Sequence, residues 1–148
     1  MDVAALKRYQ AQASDWTGHP LKADGKLGPR TLWALAIADL PRHRREIVEV
    51  ACGQVGIEEH PLGSNRGLEV DNYLRPTGLS SVPWCAAFVS WVLREAGLLD
   101  GVELKYAASA AAMLRQLRPA VSGPLPGDVF GWVNPDGTGH VGFVIGES

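Results

Sequence analysis

The chain has 148 residues, 46% of them hydrophobic and 20% charged, enough for one ordinary domain with an apolar core and too apolar for a wholly disordered chain. Fourteen basic side chains against 16 acidic ones leave a net charge of −2, which excludes the strongly basic face of a nucleic-acid binder and the polybasic patch of an anionic-membrane binder. No run approaches the ~18 continuous apolar residues of a membrane span. The N-terminus, MDVAALKRYQAQASDW, lacks the basic-then-apolar pattern of a secretory signal, so synthesis in the cytoplasm is expected.

Residues 1–40 read as helix, turn, helix. Val3, Leu6, Tyr9 and Gln10 fall on one helical face, TGHPLKADGKLGP is dense in turn formers, and Thr31 is placed to cap an apolar helix that ends before Pro41. Two short helices bury little surface alone, so this unit is expected to pack on the rest of the chain. An amphipathic helix is predicted over Arg42–Val55, with Ile47, Val50, Ala51 and Val55 inward, weakened at its end by Gly53 and Gly56. Residues 57–82 read as loop, with one short helix near Glu69–Leu74. Pro83 then opens WCAAFVSWVLREAG, apolar around its whole circumference and therefore a central helix, with Gly97 at its C-terminal stop. A further helix covers SAAAMLRQL before Pro119. Two β-type runs, DVFGWV and HVGFVI, flank the turn NPDGTG as an antiparallel hairpin. Helices first and strands last predict an α+β fold.

The two cysteines differ in setting. Cys52, within IVEVAC, reads as a small buried hydrophobe. Cys85 stands two residues after Pro83, where the unpaired N–H groups and positive end of a helix favour the nucleophilic thiolate and can bind a developing oxyanion. His140 opens the second strand and shares a face with Gly142 and Val144, and the small Gly142 is expected to leave room for substrate or for the cysteine helix. A helix-start cysteine with a later strand histidine is what thiol hydrolysis needs, since the imidazole must take the thiol proton and then protonate the leaving amine. By spacing alone, a core cysteine and an incidental histidine stay open as the alternative.

PWCAAFVSWVLREAG, PGDVFGW and GHVGFVIG, preceded by GIEE and GSNRGLEVDNYL, resemble the CHAP and NlpC-type cysteine peptidase superfamily over about residues 47–146. The resemblance implies a papain-like domain, its buried cysteine helix packed on an antiparallel sheet, with Cys85 as nucleophile and His140 as base in cutting an amide bond of bacterial peptidoglycan. LKADGKLGPRTLWAL is similar to the signature of the helical peptidoglycan-binding domain, carried by Asp24, Gly25, Gly28, Pro29 and Thr31, with Leu21, Trp16 and Trp33 as candidate ligand contacts. The division expected is a compressed wall-binding unit over 1–40 and a CHAP-like hydrolase domain over 41–148.

Papain-like sites add a third polar residue that orients the imidazole. Glu147, the only carboxylate after His140, is the candidate, although its odd offset turns it away in a continuous strand. Trp84, Asn65 and Glu58 are candidate substrate-binding residues, with Glu59 in the same loop; Asp128 reads as a turn and strand-start residue. His19, His43 and His60 show no metal-ligand spacing, and no metal or cofactor is expected. HVGFVI as a final strand would be an apolar edge open to pairing with another chain. The function expected is a peptidoglycan amidase or endopeptidase, a phage lysin or an exported effector that reaches the wall after release or injection. The alternatives are a wall-binding module with an impaired hydrolase half and a cysteine peptidase acting on protein, against which DGKLGPRT speaks.

Overall fold

The computed structural model describes residues 2–98, 108–117 and 122–146. Helix α1, Val3–Gln10, starts where the Asp2 carboxylate accepts from the Ala5 amide at 2.7 Å, and it turns Leu6 and Gln10 inward while Val3 stays exposed. Helix α2 spans Pro29–Ala38, two residues earlier than expected. Pro29 fixes the first helical φ behind Gly28, so Thr31 is not the cap. The Thr31 hydroxyl is buried and accepts from Gln10 Nε2 at 3.0 Å. The same Gln10 amide donates to the Lys26 carbonyl at 3.0 Å, and its oxygen accepts from the Gly25 amide at 2.8 Å. The turn-rich motif is thus wound around one buried side chain, which satisfies polar groups that would otherwise destabilise the unit.

Helix α3, Arg42–Cys52, presents Ile47, Val48 and Cys52 to the interior. It stops three residues short of the expected end because Gly53 opens a series of turns that runs to Gly56. The short helix α4, Leu68–Leu74, lies where the sequence predicts it and runs into a single tight turn, Arg75–Thr77. Helix α5, Cys85–Glu95, is central and buries Ala86, Ala87, Val89, Ser90, Val92 and Leu93. Burying each larger aliphatic chain among these contributes about 1.5–3 kcal/mol. Its end is a Schellman turn: Leu98 N–H bonds the Leu93 carbonyl at 2.9 Å and Gly97 N–H the Arg94 carbonyl at 2.9 Å, which requires Gly97 at φ +75°. Helix α6, Ala110–Gln116, is capped by Ser109, whose hydroxyl accepts from the Ala112 amide.

Strands β1, Val129–Val133, and β2, Gly139–Phe143, form the antiparallel hairpin, with Trp132 opposite His140 and Phe130 opposite Gly142. Its closing loop is held by Asn134 N–H on the Thr138 carbonyl at 2.7 Å and Thr138 N–H on the Asp136 carboxylate at 2.9 Å. The inner face carries Val141, which packs with Ile47, Val89, Val92 and Met113 in the main core. β2 is regular to Phe143; Val144 still pairs with the other strand, donating to the Asp128 carbonyl at 2.9 Å and accepting from the Gly127 N–H at 2.7 Å. Beyond it the Trp33 indole N–H takes the Ile145 carbonyl at 2.6 Å, while a Cβ on Gly146 would come within 2.9 Å of that ring. Trp33 and Trp16 also join the cluster of Ile37, Val48 and Cys52. Helix α2 and the Trp16 loop therefore pack on α3 and on the residues just after β2. Arg44 of α3 adds a second tie to the hairpin, donating to the Asp128 carboxylate at 2.7 Å and to the Pro126 carbonyl at 3.1 Å. The fold is α+β, with helices around α5 and a two-stranded sheet on one side. Among the described residues no helix is long and apolar enough to cross a membrane.

Candidate active site

A cleft of about 600 Å³ opens between the start of α5, the turns after α3 and the length of β2. Pro83, Trp84 and Cys85 line it together with Gly139–Phe143, so both candidate catalytic residues border one cavity, while the His140 ring itself lies on the outer face of the hairpin. Cys85 is the first residue of α5 and half-buried. Among the described residues no side chain caps that helix start, so its first amides lack intrahelical partners. Cys52 also reaches the cleft wall but is buried, and burial pushes its thiol up to about 11, with the Asp15 carboxylate adding to the rise. Its protonated, enclosed sulfur is a poor nucleophile.

His140 sits on the exposed face of the hairpin. Its ring is 5.2 Å from the Trp132 ring and 6.4 Å from the Phe130 ring. The space expected over Gly142 is taken: the Phe130 ring crosses it, and a Cβ at 142 would stand 3.0 Å from that ring. Among the described residues no hydrogen bond joins the Cys85 thiol to the His140 imidazole. Glu147 lies outside the described residues.

The candidate substrate-binding residues divide. Trp84 and Asn65 line the cleft, while Glu58 is exposed and outside it. Trp84 stacks on the buried Tyr73, ring centroids 5.6 Å apart and 29° between planes. Tyr73 donates to Gln54 Oε1 at 2.6 Å, and burial, with the Glu69 charge second, pushes its hydroxyl up to about 12. Asn65 stands at φ +53°, a left-handed conformation that asparagine tolerates better than most residues. Glu59, one residue from the Glu58 candidate, bonds both cleft residues: its Oε1 accepts from Trp84 Nε1 at 3.0 Å and its Oε2 from the Asn65 amide at 3.1 Å. Sequence alone carries no signal to choose between the adjacent glutamates, because a loop has no periodicity.

The motif on α2 and the loop before it is engaged internally, as the Gln10 contacts show. Leu21 is buried, Trp33 holds Ile145, and Trp16 lies under the Arg30 guanidinium at 5.3 Å and meets Trp33 edge-on. Among the described residues no group of three or more His, Cys, Asp or Glu side chains is arranged to hold a metal ion.

A thiol at the start of a central helix, in a cleft also bordered by a strand that carries a histidine, is an arrangement compatible with nucleophilic cysteine chemistry. The family model of the CHAP domain matches residues 77–147, in line with the CHAP/NlpC-type superfamily that the cysteine helix and the hairpin resemble. CHAP domains are generally peptidoglycan hydrolases of the cysteine amidase or peptidase type. The match does not reach the N-terminal segment. No curated protein and no solved structure matches the chain.

Proposed function

We propose that the chain is a peptidoglycan hydrolase, an amidase or endopeptidase that cuts an amide bond through Cys85 and His140 on a papain-like domain. The observation that carries this reading is the single cleft lined by both residues within the segment that matches the CHAP domain. In the reaction, His140 takes the thiol proton and the Cys85 sulfur adds to the amide carbonyl carbon. Amides at the start of α5, with the Asn65 side chain at the mouth, face the developing oxyanion. The C–N bond then breaks as His140 returns the proton to the leaving amine, leaving a thioester. Water, deprotonated by the same imidazole, splits that thioester and frees the carboxylate and the thiol. Trp84 serves as a cleft wall and Glu58 as an outer rim contact. Glu147 is the third member of the site in this reading, with peptidoglycan the only partner required and no cofactor. The protein would act on the wall after release or injection, as a phage lysin or an exported effector.

The test is solubilisation of purified peptidoglycan, read as new free amines and by mass analysis of the fragments. Cys85→Ala and His140→Ala should each lower turnover by at least about a hundredfold. Lysis at the wild-type rate by Cys85→Ala sinks the reading.

One feature favours a second reading, a wall-binding module whose hydrolase half is impaired. The ring neighbours of His140 are the aromatic Trp132 and Phe130, and among the described residues no hydrogen bond orients the imidazole. Retention on insoluble peptidoglycan without release of amines would support that alternative.

A further inference from the structure

The loop over residues 58–67 is held in several ways that do not involve the cleft. His60 N–H bonds the Arg66 carbonyl at 2.7 Å across its base. Arg66 is in turn bonded by both oxygens of Asp71 on α4, at 2.9 and 3.2 Å. The Ser81 hydroxyl donates to the Ser64 carbonyl at 2.9 Å. Gly67, at φ +144°, lets the chain pass where a Cβ would stand 3.3 Å from the His60 nitrogen. Within the loop these ties act beside Glu59, whose carboxylate also accepts from the Asn65 and Gly63 amides.

Glu59 does something else. It does not line the cleft, yet each of its two oxygens holds a residue that does. Oε1 takes the indole N–H of Trp84, the residue directly before the nucleophile, and Oε2 takes the backbone N–H of Asn65 on the facing loop. Charge-assisted hydrogen bonds of this kind are stronger and more directional than neutral ones. The Trp84 indole first, and the Asn65 amide second, hold the Glu59 carboxyl below the usual glutamate range, so it is ionised wherever such an enzyme would work. Asn65 stands in the left-handed region, which asparagine adopts less often than the ordinary right-handed one, and the Glu59 bond to its amide helps hold it there.

We propose that Glu59 is a positioning residue that clips the Asn65 loop to Trp84, setting the two walls of the cleft at a fixed separation beside Cys85 so that the amide substrate is held against the thiol. The inference rests on the hydrolase reading and deepens it: Glu59 touches neither substrate nor sulfur, and acts through Trp84 and Asn65.

The substitutions separate the two halves of the clip. In Glu59→Gln one side-chain oxygen can still accept from Trp84, but the amide nitrogen then faces the Asn65 N–H, donor against donor. In Trp84→Phe the stack on Tyr73 is kept and the other half of the clip is lost. Steady-state kinetics of the full chain on a soluble muropeptide digest should show KM raised about tenfold in each variant, the worth of one hydrogen bond to a charged group. Alkylation of Cys85 by iodoacetamide, read by peptide mass, should stay within about twofold of wild type, because a small reagent does not need aligned walls. Wild-type KM in both variants overturns the clip. So does a rise in KM that comes with an equal loss of alkylation rate and a lowered thermal midpoint, since Glu59 would then be merely structural. If Glu59→Gln fails to fold, Trp84→Phe decides by the same criteria. Absence of turnover by the wild-type chain overturns the hydrolase reading itself, a result distinct from turnover with unmoved KM values.

Discussion

Trp33 joins the N-terminal helices to the end of the histidine strand by two separable means, and substitution should resolve them. Its indole N–H donates to the Ile145 carbonyl at 2.6 Å, and its ring packs with Ile37, Val48 and Cys52 while covering Gly146. Trp33→Phe keeps most of the ring and removes the donor, leaving a half-buried carbonyl without its partner. The cost should be about 1–2 kcal/mol, a lost hydrogen bond plus part of the desolvation of its acceptor. Trp33→Ala also empties the ring's volume, and at this half-buried site the cost should be about 2–3 kcal/mol, below that of a fully buried aromatic. Because Ile145 lines the cleft, both variants should also lower kcat/KM on peptidoglycan fragments, and Trp33→Ala more so. Urea unfolding followed by tryptophan fluorescence gives the stabilities, with the slope compared to confirm that the folded state stays compact. If Trp33→Phe and Trp33→Ala cost the same, the ring contributes no packing. If neither moves the midpoint by more than about 0.5 kcal/mol, the contact between the N-terminal unit and β2 does not hold in solution.

Asp15 is buried, and burial by itself pushes its carboxyl up; the Thr17 hydroxyl and amide, the His19 amide and the Arg30 guanidinium more than offset this and bring it to about 2, from an ordinary 3.8. A depressed carboxyl stabilises the fold above its unfolded value and loses that contribution as pH falls, so on the order of 2 kcal/mol should disappear between about pH 4 and pH 2. Urea midpoints of wild type and Asp15→Asn should therefore differ at pH 7 and converge towards pH 2; a constant gap would contradict the assignment. Gly131→Ala sets a methyl 2.5 Å from the His140 carbonyl and 2.9 Å from the Leu114 side chain, and should destabilise by about 1–3 kcal/mol in chemical denaturation. Gln10→Leu strips the Asp24–Thr31 turn of its central amide and should cost about 2–4 kcal/mol, summed over its lost partners. Unchanged stability with weakened retention on insoluble peptidoglycan would instead make that turn a ligand contact.

Local signals report local structure well. The helix over Cys85–Glu95, its stop at Gly97, the short helix at Leu68–Leu74, the Ser109-initiated helix and the hairpin turn all come from periodicity, caps and turn residues acting within a few positions. The misplacements have equally local causes. Pro29 outweighs Thr31 as the start of α2, because a pre-set φ with no N–H to satisfy suits the first helical position. Gly53 ends α3 before the apolar period runs out. What lies beyond sequence is pairing at a distance. Trp33 and Ile145 are 112 residues apart, and nothing in either neighbourhood says that an indole will bond that carbonyl. Glu59 and Trp84 are 25 apart, and the choice between Glu58 and Glu59 depends on which way one loop residue faces. The filled volume over Gly142 is hidden for the same reason, since the ring that occupies it comes from the opposite strand.

The two halves of the candidate site differ in how firmly the fold determines them. Cys85 begins a helix whose buried residues pack against α3, α4, α6 and β2, and the residue before it is stacked on Tyr73 and bonded to Glu59. His140 belongs to a hairpin, and two strands alone are marginal in water. The hairpin persists here because α5 and α6 cover its inner face, Arg44 ties its start and Trp33 closes its end. Its outer face keeps Phe130 and Trp132 exposed, and these rings are what flanks the imidazole. Cys85 is therefore set by the core, and His140 by a ribbon whose orientation depends on contacts at its two ends. Substitutions at Arg44 or Trp33, both remote from the thiol, should disturb the hairpin that carries His140 before they affect Cys85 itself.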